Sequence, residues 1–140
     1  MSSLNSEHIA QALQGLIRPG DTLWWGQATA EPLCLTQALV QHRHQIAQGG
    51  RLRVFVGIGV ANTLQPEQAD VLDFFGYAAS GPHRALAKAG VLDIVPSHYS
   101  HLPGLITSGA LAADVVMVQV SPPDAQGRYS LGLVHEYITA

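Results

Sequence analysis

Two runs constrain this chain more than any other feature: RLRVFVG, residues 51 to 57, and ADVVMVQV, residues 113 to 120. The first ends in an apolar run and the second is Val-rich almost throughout, with no clean apolar-polar alternation. Strands of this kind are buried on both faces, which requires helices above and below a mainly parallel sheet. TLWWG, residues 22 to 26, reads as a further short buried strand, while DVLDFFG at 70 to 76 and LDIVP at 92 to 96 read as weaker ones.

Helical patterns separate these strands. Ile9, Leu13, Leu16 and Ile17 fall on one face of a first helix, with Ser6 as its N-cap and Pro19-Gly20 as its stop. Glu31-Pro32 opens a second helix, where proline lacks only an N–H that would be unpaired anyway. Leu35, Leu39, His42 and Ile46 carry its spacing as far as Gly49-Gly50. A short helix is expected from Pro82 to Ala89, stopped by Gly90, and LPGLITSG supplies another turn or two. The fold class is therefore α/β: an open, mainly parallel sheet with flanking helices.

A chain of 140 residues, 47% hydrophobic and 12% charged, holds enough apolar material for one ordinary core. No repeat, low-complexity tract or linker divides it, so residues 1 to 140 are expected to form one domain. The closing LVHEYITA reads as the start of a helix that stops before it can bury a face. The chain is thus expected to be half, or a fragment, of a longer protein, with apolar strand edges that need a partner.

The net charge of -3, with six Arg and one Lys scattered along the chain, provides no basic stripe for a phosphate backbone and argues against nucleic acid. Cys34 is the only cysteine, so no intrachain disulfide and no Cys-based zinc knuckle can form. The first residues lack the basic and apolar regions of a secretory signal, and no apolar run approaches the ~20 residues that span a bilayer. The expected location is the cytoplasm, away from membranes.

Two loops have the makings of a site. GQATAEP, residues 26 to 32, follows a strand and precedes a helix, where free N–H groups favour an anion or a polarised carbonyl. The same residues equally suit a tight connection that uses Gly26 for room and Pro32 as a helix start. VGIGVANTL, residues 56 to 64, begins like a dinucleotide fingerprint, but Asn62 stands at its third glycine position and no capped helix follows. Gly57 and Gly59 either line the rim of a cleft or only shape a turn.

Other constellations are weaker. His98 and His101 lie one helical turn apart, and His83 or His135 could join them, but no carboxylate accompanies the pair and no metal is expected. Ser97, His98 and Asp124 could compose a triad by residue type, yet no nucleophile elbow is present. Of the four glutamates, Glu7, Glu31, Glu67 and Glu136, only Glu31 falls at an expected active edge, where it also suits a helix N-terminus.

SPPDAQGRYSLG, residues 121 to 132, follows the last strand directly. Asp124 is expected to cap backbone N–H groups and Gly127 to supply a positive φ, so that Tyr129 to Leu131 folds back along the sheet.

These segments together carry a resemblance. IRPGDTLWWGQATAEPLCLTQAL resembles the opening of the acetyl-CoA hydrolase/transferase family, related to 4-hydroxybutyrate CoA-transferases. LITSGALAADVVMVQVSPPDAQGRYSLG resembles that family's buried strand followed by SPxDxxGxxSLG, and VPSHYSHLP its preceding loop. The likeness runs from Ile17 to Gly132 and is loosest at residues 57 to 95.

The resemblance implies a CoA-transferase-like fold, two similar halves per enzyme and an active site between them. It implies an acyl-CoA and a small carboxylic acid as substrates, coenzyme A as substrate without any cofactor, and a second half or homo-oligomer as partner. A glutamate attacks the thioester in such enzymes, and it belongs to the second half. The nucleophile is therefore expected C-terminal to Ala140, with this segment inactive alone and Glu31 not its substitute.

The resemblance leaves this chain one wall of the cleft, with substrate-binding candidates in three loops: Gly26, Gln27, Glu31 and Pro32; then Gly57, Ile58, Gly59 and Asn62; then His98. Ser130 joins them from the final turn. Two other readings stay open: a non-catalytic acyl-CoA-binding or subunit-pairing α/β module, and a sugar-phosphate isomerase-like domain. The last needs a carboxylate base and several cationic phosphate ligands that scattered Arg and a single Lys do not visibly supply.

Overall fold

The computed structural model of the protein describes residues 5–132 and 136–139. Helix α1 (Ser6–Leu16) leads into β1 (Thr22–Trp25), and α2 (Leu33–Gln41) with α3 (Arg43–Ala47) leads into β2 (Leu52–Phe55). Strand β3 (Leu72–Gly76), α4 (Arg84–Lys88), β4 (Leu92–Ile94), α5 (Leu102–Thr107) and β5 (Val115–Met117) follow, and a 3-10 turn, Tyr137–Thr139, comes last. The sheet order is β4-β3-β2-β1-β5, and every adjacent pair is parallel. Leu23 of β1, an interior strand, stands opposite Val54 on one side and Val115 on the other.

Alternation along each strand divides the core into two layers. Leu23, Trp25, Val54, Phe74 and Met117 face α1 through α4, where Leu13, Leu39, Ile46 and Leu86 meet them. Trp24, Phe55 and Phe75 face the opposite way, against Leu102 of α5 and Tyr137. Each large side chain buried in this way stabilises the fold by about 1.5–3 kcal/mol. TLWW is buried at all four positions, as a strand covered on both faces must be.

Four local expectations change. Asn5, not Ser6, caps α1: its side chain accepts from the Glu7 N–H at 3.2 Å, while the Ser6 hydroxyl donates to Gln41 Oε1 at 3.0 Å. Leu16 is 71% exposed whereas Ile17 is sealed, because the helix ends between them and the extended backbone turns Ile17 inward. The expected single helix from residue 31 breaks at His42, whose φ of -110° and ψ of 22° are not helical. Finally, β5 is three residues long rather than eight. Its only neighbour among the described residues, β1, ends at Trp25 opposite Met117, so Val118 and Val120 find no strand partner among those residues and remain exposed.

The turn after β5 has the expected capping. Asp124 accepts from the N–H groups of Gln126 and Arg128, both at 2.9 Å, and Gly127 has φ +75°. Its return arm does not join the sheet. Ser121 N–H donates to Ser130 O and Ser130 N–H to Ser121 Oγ, closing an exposed hairpin on itself.

One surface ion pair ties α3 to the turn before β3. Arg43 grips Asp70 through two 2.8 Å hydrogen bonds, and His44 Nε2 lies 2.9 Å away. Chiefly through Arg43, the Asp70 carboxyl is held at about 2, below its ordinary 3.8. A depressed carboxylate stabilises the folded state fully above the ordinary value, and that contribution disappears as pH falls through about 2. Asp70→Asn is therefore expected to lower the urea midpoint at pH 7, with the gap from wild type closing near pH 2 and shrinking in high salt. A gap independent of pH would refute the assignment.

Candidate functional site

The carboxyl ends of β1, β2 and β3 converge on one side chain. Gln27, just past β1, uses its Oε1 to accept from Ile58 N–H at 2.9 Å and from Tyr77 O–H at 2.8 Å. Ala28 N–H donates to Ile58 O at 2.8 Å, locking the two loops together, and Ala28 itself has φ +53°, a strained value for a residue with a side chain. Gly57 lies beneath this junction. A Cβ there would come within 2.8 Å of Gln27 Cβ and 2.7 Å of Tyr137 Oη.

Gly59 covers His83. The buried imidazole Nδ1 lies 3.0 Å from Gly57 O, and a Cβ on Gly59 would lie 2.5 Å from the ring. Burial pushes the His83 pKa below the ordinary imidazole range, against the Gly57 carbonyl and the charge of Glu31. A neutral ring beside a carbonyl carries its proton on Nδ1 and donates it.

Glu31 is buried, and its Oε1 accepts from the Thr36 hydroxyl at 2.7 Å. That bond ties the loop to the first turn of α2, in front of which Pro32 stands as the capping residue. A second carboxylate, Glu136, meets the Gln27 backbone. Burial raises its pKa against the pull of the Gln27 backbone N–H, and among the described residues its Oε2 is buried without a partner. Tyr99 and Tyr77 are close enough that burial and the Glu136 charge both raise their pKa values. Tyr137 O–H donates to Trp25 O at 3.2 Å and pins this last turn to the end of β1.

The candidate residues thus fall into groups. Gly26, Gln27, Gly57, Ile58 and Gly59 come together, with Glu31 and Pro32 following on the same loop just before α2. Asn62 lies elsewhere, accepting from Gln65 and lining a depression with Leu33, Gln37 and Val40. His98 stacks edge-on to His101 with ring centroids 5.9 Å apart, and both are exposed. Ser130 lines an open groove with Thr29, Ala30 and Gln119, beside the same β1 loop.

Asp124 is committed to Arg128 and the hairpin backbone, and Ser97 donates to His98 O. Among the described residues no three His, Cys, Asp or Glu side chains group as a metal site, and His135 lies outside them. No described helix is long and apolar enough to cross a membrane.

Tyr77, Tyr99 and Tyr137 escape a reading of the sequence, which weighs His83 only as a metal ligand and Glu136 only as one of four glutamates. The available signals were an aromatic immediately after the FFG strand end and a histidine two residues after Gly81, whose φ of +54° places its backbone against Gly59.

Comparison with known proteins gives concordant matches. Residues 7–139 match the acetyl-CoA hydrolase/transferase N-terminal domain. A 4-hydroxybutyrate coenzyme A transferase of Clostridium kluyveri is 26% identical over 113 residues, covering 81% of this chain but 26% of that protein. The crystal structure of RipA from Yersinia pestis superposes with TM-score 0.79 at 26% identity, over 92% of this chain and 32% of that one. A 4-hydroxybutyrate CoA-transferase of Porphyromonas gingivalis has the same fold, with TM-score 0.62 at 23% identity, over 94% of this chain and 28% of that one. The chain thus spans about a third or less of the length of each of these proteins.

Proposed function

This chain belongs to the acetyl-CoA hydrolase/transferase family as an N-terminal domain, and from that premise we propose that it forms one wall of a cleft in which CoA is moved between small carboxylic acids. The observation that carries the reading is the junction at Gln27, where the carboxyl ends of three parallel strands present a glycine-lined polar rim. Ligands of open α/β sheets bind outside such ends.

A glutamate carboxylate attacks the thioester carbonyl and expels CoA thiolate, leaving an acyl-glutamyl anhydride. The thiolate then attacks the glutamyl carbonyl, releases the first carboxylate and leaves a glutamyl-CoA thioester. A second carboxylate, or water, completes the transfer.

In this reading the nucleophile belongs to a second half of the enzyme, and the burial of Glu31 with its bond to Thr36 supports giving it another role. A second CoA-transferase half, or another copy, would bring it. Its seat is the groove of about 440 Å³ between α1 and β5, where the exposed Leu16 and Val116 leave apolar surface uncovered. CoA takes part as substrate, no metal or prosthetic group is required, and the reaction belongs in the cytoplasm.

The test is chemical trapping. The complete protein is incubated with acetyl-CoA, treated with borohydride to reduce an enzyme-bound thioester to an alcohol, and digested for mass spectrometry. A reduced glutamate outside residues 1–140 is expected. Reduction at Glu31 or Glu136, or at no glutamate, would overturn the proposed route.

A further inference from the structure

The Gln27 side chain has no freedom to choose which end it presents. Both lone pairs of Oε1 are engaged, by Ile58 N–H at 2.9 Å and Tyr77 O–H at 2.8 Å. Turning the amide over would set its NH2 group against the Ile58 N–H, two donors face to face. Gly57 preserves the space this plane occupies, since a Cβ there would stand 3.0 Å from Oε1. What remains is Nε2, which among the described residues makes no hydrogen bond, on a half-buried side chain at the rim.

We propose that the Gln27 carboxamide N–H is the donor that holds the carbonyl oxygen of the acyl-CoA thioester. The inference rests on reading this rim as an acyl-CoA cleft, and it adds the group that grips the acyl end and the atom gripped. An uncharged carbonyl suits the site better than a free carboxylate. Gln27 is a neutral donor, Tyr77 is a phenol, His83 is sealed against Gly57 as a neutral ring, and Glu136, held by the Gln27 backbone N–H, is an acid that would repel an anion. Tyr77 acts through Gln27 and is a positioning residue.

The experiment compares acetyl-CoA with S-ethyl-CoA, a thioether of the same size without the carbonyl, by calorimetry on the complete protein with its trapped nucleophilic glutamate replaced by Gln, so that acetyl-CoA binds without reacting. This background serves as the wild type for the comparison. Wild type is expected to prefer acetyl-CoA by about tenfold, the worth of one well-made hydrogen bond. Gln27→Glu keeps the acceptor for Ile58 and Tyr77 but replaces the donor, and is expected to abolish the preference. Tyr77→Phe is expected to reduce the preference by about two- to threefold.

A preference unchanged in Gln27→Glu overturns the assignment, and if that variant does not fold, an unchanged preference in Tyr77→Phe does so. Wild type that binds neither compound overturns the acyl-CoA reading of the cleft, and this assignment with it. Equal wild-type affinity for both compounds overturns this assignment alone.

Discussion

Trp24→Ala is expected to destabilise the protein by about 3–5 kcal/mol, the range for deleting a fully buried large aromatic. Trp24 is 1% exposed and occupies the middle of the smaller core layer. Its ring stacks on Phe55 at 3.7 Å and meets the edges or faces of Phe75 and Tyr137 at 5.9 and 5.6 Å. Its Nε1–H donates to Ala112 O at 2.8 Å, so truncation also strands a carbonyl next to the start of β5.

With an unfolding entropy of roughly 2.1 cal/mol/K per residue, the expected fall in Tm is about 10–17 °C. Trp24→Phe, which keeps an aromatic but loses the N–H, should fall between Ala and wild type. Urea unfolding followed by circular dichroism measures both. A change below about 1 kcal/mol for Trp24→Ala would mean that this layer is not packed as described.

Gly59→Val is expected to have the largest effect at the rim, a loss of about 1–3 kcal/mol from overpacking. The added atoms must enter the volume of the His83 ring, which would lie 2.5 Å from Cβ alone. The ring has to leave Gly57 O and turn toward water. Wild-type His83 has a pKa below its ordinary 6.5 because of burial, so the unfolded chain binds this proton more readily than the folded one.

Its contribution to stability is therefore complete above 6.5 and is lost as pH falls through the lowered folded value. In Gly59→Val that part of the acid dependence should vanish, and the His83 ring protons should titrate in the ordinary range by NMR. A variant whose His83 stays untitrated near 6.5, with wild-type Tm, would refute the contact.

Much of the sheet was legible because β1 and β2 are hydrophobic for a reason that sequence states directly: strands covered on both faces leave few positions for polar residues. The weaker strands β3 and β4 also lie where DVLDFFG and LDIVP placed them. Overreading began where apolar composition and burial part company. VVMVQV has one texture from end to end, yet only Val115–Met117 has a paired neighbour, since strand length is fixed by β1 on the far side of a long loop. Leu16 misled in the same way, one residue from a helix end.

The rim was legible in part. Gly26, Gln27, Gly57 and Gly59 were marked by turns after apolar strands, a local signal. His83, Tyr77 and Tyr137 reach the same place only through tertiary packing, across separations such as the 112 residues between Trp25 and Tyr137. No window along the chain contains that information. Glu136 was passed over because its neighbours looked like the beginning of an ordinary helix.

The position of β1 between β2 and β5 carries a consequence for biosynthesis. Its partner on one side, β2, leaves the ribosome soon after it, but Val115, which stands opposite Leu23, is translated much later. At ordinary elongation rates that interval is on the order of 5–20 s. Throughout it β1, a strand buried at every position in the finished fold, has one open hydrogen-bonding flank, the period in which mispairing with a neighbouring polypeptide competes with native closure and a holding chaperone would matter most.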